Sequence, residues 1–143
     1  MSFGPIYVDH IGIATHRLDD NSSFWRLIGL AQGEHDETVE DQGVTTRFFS
    51  TSVLDGETAV PKVELLEPTG ADTPIGRFLA KRGPGVQQVC FSVGDLTGLL
   101  KHLSENGVRL IDETPRLGAG GNMIAFVHPG STGGVLVELS QRT

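Results

Sequence analysis

Val8-Asp9-His10-Ile11-Gly12-Ile13-Ala14 and Val86-Gln87-Gln88-Val89-Cys90-Phe91-Ser92-Val93 decide the fold, because they read as the same strand used twice. Strand side chains alternate between two faces. His10, Gly12 and Ala14 therefore share one face, and Gln88, Cys90 and Ser92 the matching one. Val89, Phe91 and Val93 form the apolar face that suits helix packing. Gln88, rather than Gln87, is thus the counterpart of His10.

Each strand leads into an acidic helix start. Asp95 can cap a helix in which Leu96, Leu99, Leu100 and Leu103 form one apolar stripe, and Gly107 stops it. In the first half Asp20, Asn21 or Ser22 can cap a helix carrying Phe24, Trp25, Leu27 and Ile28, closed by Gly29. Strand-like runs follow: residues 43–51 and 62–66 in the first half, and 108–111, 123–127 and 135–139 in the second. Residues 34–42 read as a loop or a ragged strand. The fold class expected is α+β, one domain of paired βαβββ modules related by a pseudo-twofold. The N-terminal module spans about residues 5–70, a linking helix about 73–82 and the C-terminal module about 84–141. Thr73 is positioned to cap the linking helix and Pro74 to start it, where its missing N–H costs nothing.

The closing strands pair as well. Val63-Glu64-Leu65-Leu66 matches Val137-Glu138-Leu139, each placing one glutamate inside an aliphatic run at a similar distance from His10 or Gln88. A carboxylate in an apolar strand is costly unless it is paired. The repeat predicts that His10, Glu64, Gln88 and Glu138 converge. One imidazole, one amide oxygen and two carboxylates suit a divalent metal ion of borderline hardness, such as Co, Ni, Zn or Mn. The plainer readings are a satisfied strand histidine, edge glutamates facing water and a hydrogen-bonded glutamine. Cys90 reads most simply as a small buried hydrophobe. The loop Arg116–Asn122 is glycine-rich without the spacing of a nucleotide-binding turn, and reads as a hairpin or a substrate-facing surface. Arg77, Lys81 and Arg82 read as a solvated face, or as a seat for a substrate phosphate.

The bulk properties bound the alternatives. A chain of 143 residues, 38% hydrophobic and 20% charged, suits one domain with a sizeable core built mainly from aliphatic residues. The net charge of -7 argues against nucleic-acid or anionic-membrane partners. No apolar run reaches the roughly 20 residues of a membrane span. Met1-Ser2-Phe3-Gly4-Pro5 lacks the layout of a signal peptide, and a single cysteine allows no internal disulfide. A cytoplasmic protein is expected.

Together these segments resemble the vicinal oxygen chelate superfamily, which includes glyoxalase I and extradiol dioxygenases, and within it the methylmalonyl-CoA epimerase family. The resemblance covers nearly the whole chain. It rests on Val8–Ala14, on Val63-Glu64-Leu65-Leu66-Glu67-Pro68 with Thr73-Pro74-Ile75 and Phe78-Leu79, and on Leu117–Gly121, Phe126-Val127-His128-Pro129 and Gly133–Leu139. It implies a metal-dependent isomerase that epimerises a small-molecule acyl-CoA through an enolate, and a homodimer. It also implies His10, Glu64, Gln88 and Glu138 as metal ligands, with Glu138 as one base. Two departures stand out. The family usually has His-His at Gln87-Gln88, although glyoxalase I enzymes with one glutamine, one histidine and two glutamates bind metal. Some members place a second glutamate where this chain has Thr46, followed by Arg47. Glu64, or a metal-bound water, is therefore expected to serve the second face of the substrate. The alternatives are a glyoxalase-like lyase or isomerase acting on another oxygenated substrate, and a non-catalytic binding module. An Fe(II) dioxygenase fits less well, since it wants two histidines and one carboxylate.

Overall fold

The computed structural model describes residues 2–51 and 61–142. Met1, in the opening run read above, and residues 52–60 of the N-terminal module lie outside the described residues. The fold divides into two compact units. One is His10–Gln87; the other joins the described residues up to Asp9 to those from Gln88 onward.

In the His10–Gln87 unit the elements are β1 (Tyr7–Ala14, here from His10), α1 (Leu18–Leu27), β2 (Ala31–Gln32), β3 (Glu37–Val39), β4 (Val44–Ser50), β5 (Lys62–Pro68) and α2 (Pro74–Arg82). Strand β4 pairs antiparallel with β2, β3 and β5, and β5 pairs parallel with β1. One face of this sheet meets α1: Leu18, Phe49 and Leu65 are buried there, with Ile13, Trp25, Leu30 and Val63 packed against them. Burying each such side chain contributes about 1.5–3 kcal/mol. The opposite face carries His10, Gly12, Glu64, Thr46 and Phe48, as the registers Gly12↔Glu64 and Phe48↔Glu64 require.

Helix α1 begins earlier than its sequence suggests. Arg17 occupies the cap position without a side-chain cap bond, and none of Asp20, Asn21 or Ser22 caps the helix. The Glu67 carboxylate, reaching from β5, accepts the Leu18 N–H at 3.0 Å. A negative charge at that end also opposes the helix dipole. The earlier start turns Leu18, Ser22 and Trp25 inward at i, i+4 and i+7, and leaves Phe24, Leu27 and Ile28 exposed. Of the four apolar residues expected on this helix, Trp25 alone packs against the core. Helix α2 has its cap where the Thr73-Pro74 pair indicates, Thr73 Oγ1 accepting from Gly76 N at 3.0 Å.

The second unit contains β6 (Gly85–Val93, here from Gln88), α3 (Leu96–Glu105), β7 (Arg116–Leu117), β8 (Met123–Val127) and β9 (Leu136–Gln141). Strand β6 pairs parallel with β9, and β8 pairs antiparallel with β9 and β7. Leu96 and Leu100 of α3 are buried with Val93, Ala125, Val127 and Leu139, and Leu99 and Leu103 pack against them. Asp95 caps α3 by accepting from Gly98 N at 3.0 Å. Gly107, at φ +80°, takes the left-handed turn after the helix that a residue with a side chain resists. Residues 108–111, expected as a strand, contribute a single bridge, Leu110↔Val127. The Asp112 carboxylate takes the Phe126 N–H at 2.8 Å, so a side chain occupies the position where a ladder would continue.

The internal repeat is visible in the registers within each unit. Glu64 lies beside Gly12 on its parallel neighbour and Phe48 on its antiparallel one. Glu138 lies beside Cys90 and Phe126 in the same way. The helix starts repeat too: Gln141 Oε1 accepts the Leu96 N–H at 2.9 Å, as Glu67 accepts that of Leu18. This equivalence predicts the outcome of substitution. Glu67→Gln keeps an acceptor of the Gln141 kind and should change stability by only a few tenths of a kcal/mol, whereas Glu67→Ala should cost about 1 kcal/mol. Urea unfolding of the two variants checks this, and equal losses would show that the cap bond is not what Glu67 contributes.

Candidate active site

The structure places the four expected site residues as two separate pairs, one within each unit. In the His10–Gln87 unit His10 Nε2 lies 3.2 Å from Glu64 Oε1, and both side chains are more than nine-tenths buried. The His10 ring meets Phe48 edge-on at 5.5 Å between centroids. Phe48, directly across from Glu64, gives the pair an apolar flank. Low local polarity strengthens the attraction between imidazole and carboxylate, and makes an unpaired carboxylate there expensive.

In the second unit Gln88 Nε2 donates to Glu138 Oε1 at 3.2 Å, and both residues are buried. The bond turns the Gln88 amide so that its nitrogen is spent on the carboxylate and its oxygen remains an acceptor. Phe126 is buried opposite Glu138, and the Arg116 guanidinium sits over the Phe126 ring at 5.6 Å from its centroid. Arg116 also approaches Asp112 at 3.2 Å, so the start of the glycine-rich loop is fastened beside the Glu138 strand.

Thr46 and Arg47 divide between the faces of β4. Thr46 shares the face of His10 and Glu64, is buried, and donates to the Glu37 backbone oxygen at 3.4 Å. Arg47 serves the other face. Its guanidinium forks onto Asp36 with two contacts of 2.8 Å, reaches Asp19 at 2.8 Å and donates to Ser22 Oγ at 2.9 Å. Arg47 is thus a clamp between α1, β4 and the residue before β3, and stands apart from the His10–Glu64 pair. Sequence reading passed over Glu37, which lies directly across from Thr46 in register and on the same face. Its strand has three residues, too few to show a period. Of the basic cluster, Arg77 pairs with Asp72 at 2.8 Å and Arg82 stacks over Phe78, an arrangement expected of a solvated face. Among the described residues no helix is long and apolar enough to cross a membrane.

Residues 9–126 match the profile of the Glyoxalase/Bleomycin resistance protein/Dioxygenase superfamily. The uncharacterized protein YqjC of Bacillus subtilis is 44% identical over 94% of this chain and 91% of its own length. The mitochondrial methylmalonyl-CoA epimerase of Dictyostelium discoideum is 35% identical over 94% of this chain and 78% of its own. A solved methylmalonyl-CoA epimerase in complex with methylmalonyl-CoA and NH4+ superposes with a TM-score of 0.88 at 35% identity, covering 100% of this chain and 96% of that one. The glyoxalase-like fold implied by the family resemblance is the fold found.

The Arg47 clamp makes a pH prediction. The Arg47 side-chain hydrogen bonds and charge hold the Asp36 carboxyl below its ordinary pKa. A carboxyl depressed on folding stabilises the protein above its unfolded pKa of about 3.9, and that contribution is lost as pH falls through the lower folded value. The stability gap between the wild-type chain and Asp36→Asn should therefore be full at pH 6 and shrink below about pH 4. Chemical denaturation at several pH values measures the gap, and a gap that widens in acid would contradict the clamp.

Proposed function

The chain belongs to the Glyoxalase/Bleomycin resistance protein/Dioxygenase superfamily, and on that premise we propose that it is a methylmalonyl-CoA epimerase, interconverting the (R) and (S) forms through an enolate. The observation that carries the reading is the matched construction of two buried carboxylates, Glu64 beside His10 and Glu138 beside Gln88. Relatives named as epimerases along nearly the whole chain support it.

The donor set fits a divalent cation. An imidazole nitrogen, an amide oxygen and two carboxylates, all buried, are the groups a Co, Ni, Zn or Mn ion takes, and the Gln88 oxygen is left free to join them by the bond its nitrogen makes. In this reading His10, Glu64, Gln88 and Glu138 hold the cation. When bound, it supplies Lewis-acid stabilisation of the negative charge that develops on the thioester oxygen. The chain's own groups move the proton. The substrate carbon between thioester and carboxylate loses its proton to a carboxylate on one face and regains one on the other. Glu138 takes the first role, its geometry set by Gln88. A carboxylate of the His10–Glu64 face takes the second, and Glu64 is the one that the sequence points to. Phe48 and Phe126 stand directly across from the two carboxylates and give each an apolar neighbour. A homodimer completes the proposal by analogy with the superfamily, the cytoplasmic location rests on the sequence reading, and sedimentation of the purified chain checks the dimer.

One epimer of methylmalonyl-CoA incubated in deuterated water with the cation-loaded protein should gain deuterium at the reacting carbon and give both epimers. Glu138→Gln should lower both processes by at least about a hundredfold. Full epimerisation by that variant would remove Glu138 from the mechanism. Turnover of a hemithioacetal without exchange on methylmalonyl-CoA would place the chain among glyoxalase-like lyases. Gln88→His should tighten cation binding about tenfold, or ~1.4 kcal/mol, because imidazole replaces an amide; calorimetric titration reads the change.

A further inference from the structure

A histidine can serve a carboxylate only if its ring is turned correctly, and the side chain's own torsions do not settle that. Rotation of an imidazole about its last bond is broad and roughly two-fold. His10 also approaches Glu64 diagonally. In the parallel register His10 lies beside Lys62, while Gly12, two residues on and without a side chain, lies beside Glu64. The strand register alone therefore brings the pair within reach and leaves the angle of the ring open.

We infer that Phe48 is a positioning residue that sets the plane of the His10 imidazole, and through it the nitrogen offered to Glu64 and, in the epimerase reading on which this last part rests, to the cation. Phe48 stands directly across from Glu64 on β4. Its ring centroid is 5.5 Å from that of His10, and the two ring planes meet at 87°. Aromatic pairs prefer this edge-to-face arrangement, which is directional in a way that aliphatic packing is not. The contact fixes the plane of the imidazole. Within that plane the Glu64 carboxylate, 3.2 Å from Nε2, selects a nitrogen over a carbon.

Phe48 suits this role because its strand is anchored from behind. Its neighbours Arg47 and Phe49 belong to the opposite face of β4. Phe49 is fully buried with Leu18 and Leu65 under α1. The Arg47 guanidinium grips Asp36 through two contacts of 2.8 Å and reaches Asp19 and Ser22 on α1. Two anchors on one face thus flank the one residue that meets His10 on the other. An aliphatic side chain at this position would fill part of the same volume without a preferred angle to the imidazole.

The test uses the metal-free chain carrying isotope-labelled histidine, compared with Phe48→Tyr, which keeps the ring, and Phe48→Leu, which keeps apolar volume. Circular dichroism confirms folding, and Phe48→Met replaces Phe48→Leu if the latter does not fold. Wild type and Phe48→Tyr should each give one sharp set of His10 ring signals, with nuclear Overhauser contacts to the ring at position 48. In Phe48→Leu the His10 signals should broaden or double. Calorimetric titration with cobalt should show affinity about two- to tenfold weaker in Phe48→Leu, and restored in Phe48→Tyr. A merely structural role would lower stability to urea and leave the ring signals and the cobalt affinity of the folded chain as in wild type, and that result would overturn the assignment. Phe48→Tyr behaving like Phe48→Leu would overturn it as well. If the wild-type chain binds no cobalt, the cation reading falls, and the ring signals decide the role of Phe48 alone: one sharp set in folded Phe48→Leu rejects it, and broadened or doubled signals uphold it.

Discussion

A carboxylate held inside a sheet has to be paired, and in this chain that constraint operates twice. Glu64 and Glu138 each occupy the middle of a closing strand, each faces a phenylalanine on the antiparallel neighbour, and each has a polar partner from the opening strand region of its own unit. Left alone, either group would cost several kcal/mol or take up a proton. His10 and Gln88 solve the problem locally with different chemistry. An imidazole nitrogen stands 3.2 Å from one carboxylate, and a primary amide donates a neutral N–H to the other. The two halves of the repeat therefore carry one design with unlike donors.

The rest of each unit holds these carboxylates in place. In both, the face away from the carboxylate packs against a helix, and the start of that helix is bonded to a side chain three residues beyond the glutamate: Glu67 for α1 and Gln141 for α3. The closing strand thus presents its polar residue on one face and fastens its helix on the other. Shifting its register by one residue would break both arrangements together. That coupling explains why a glutamate can sit in an aliphatic run without loosening the strand.

Much of this was legible in the residues. Alternation in Val8–Ala14 and in Val86–Val93 sorted their residues between the two faces of each strand, and the lone glutamate in each closing strand shares the face read as polar. The Leu96, Leu99, Leu100 and Leu103 stripe and the Asp95 cap are present as read. What misled was information carried from a distance. The cap of α1 comes from Glu67, 49 residues away in sequence, so local cap residues gave the wrong start. The run at 108–111 has strand-like residues, but the side chain of Asp112 takes the bond that a strand would need. Strand β3 is too short to show a period, so its pairing with β4 and the Arg47 grip on Asp36 are visible only in the structure.

The proposed function has His10, Glu64, Gln88 and Glu138 hold one cation. Calorimetric titration of the metal-free chain with cobalt tests it most directly, with Glu64→Gln and Glu138→Gln as partners in the same experiment. The account predicts one cation per chain and a large loss of affinity from either substitution, since each removes one charged ligand of the same ion. Two cations per chain, or binding that survives one substitution unchanged, would contradict it.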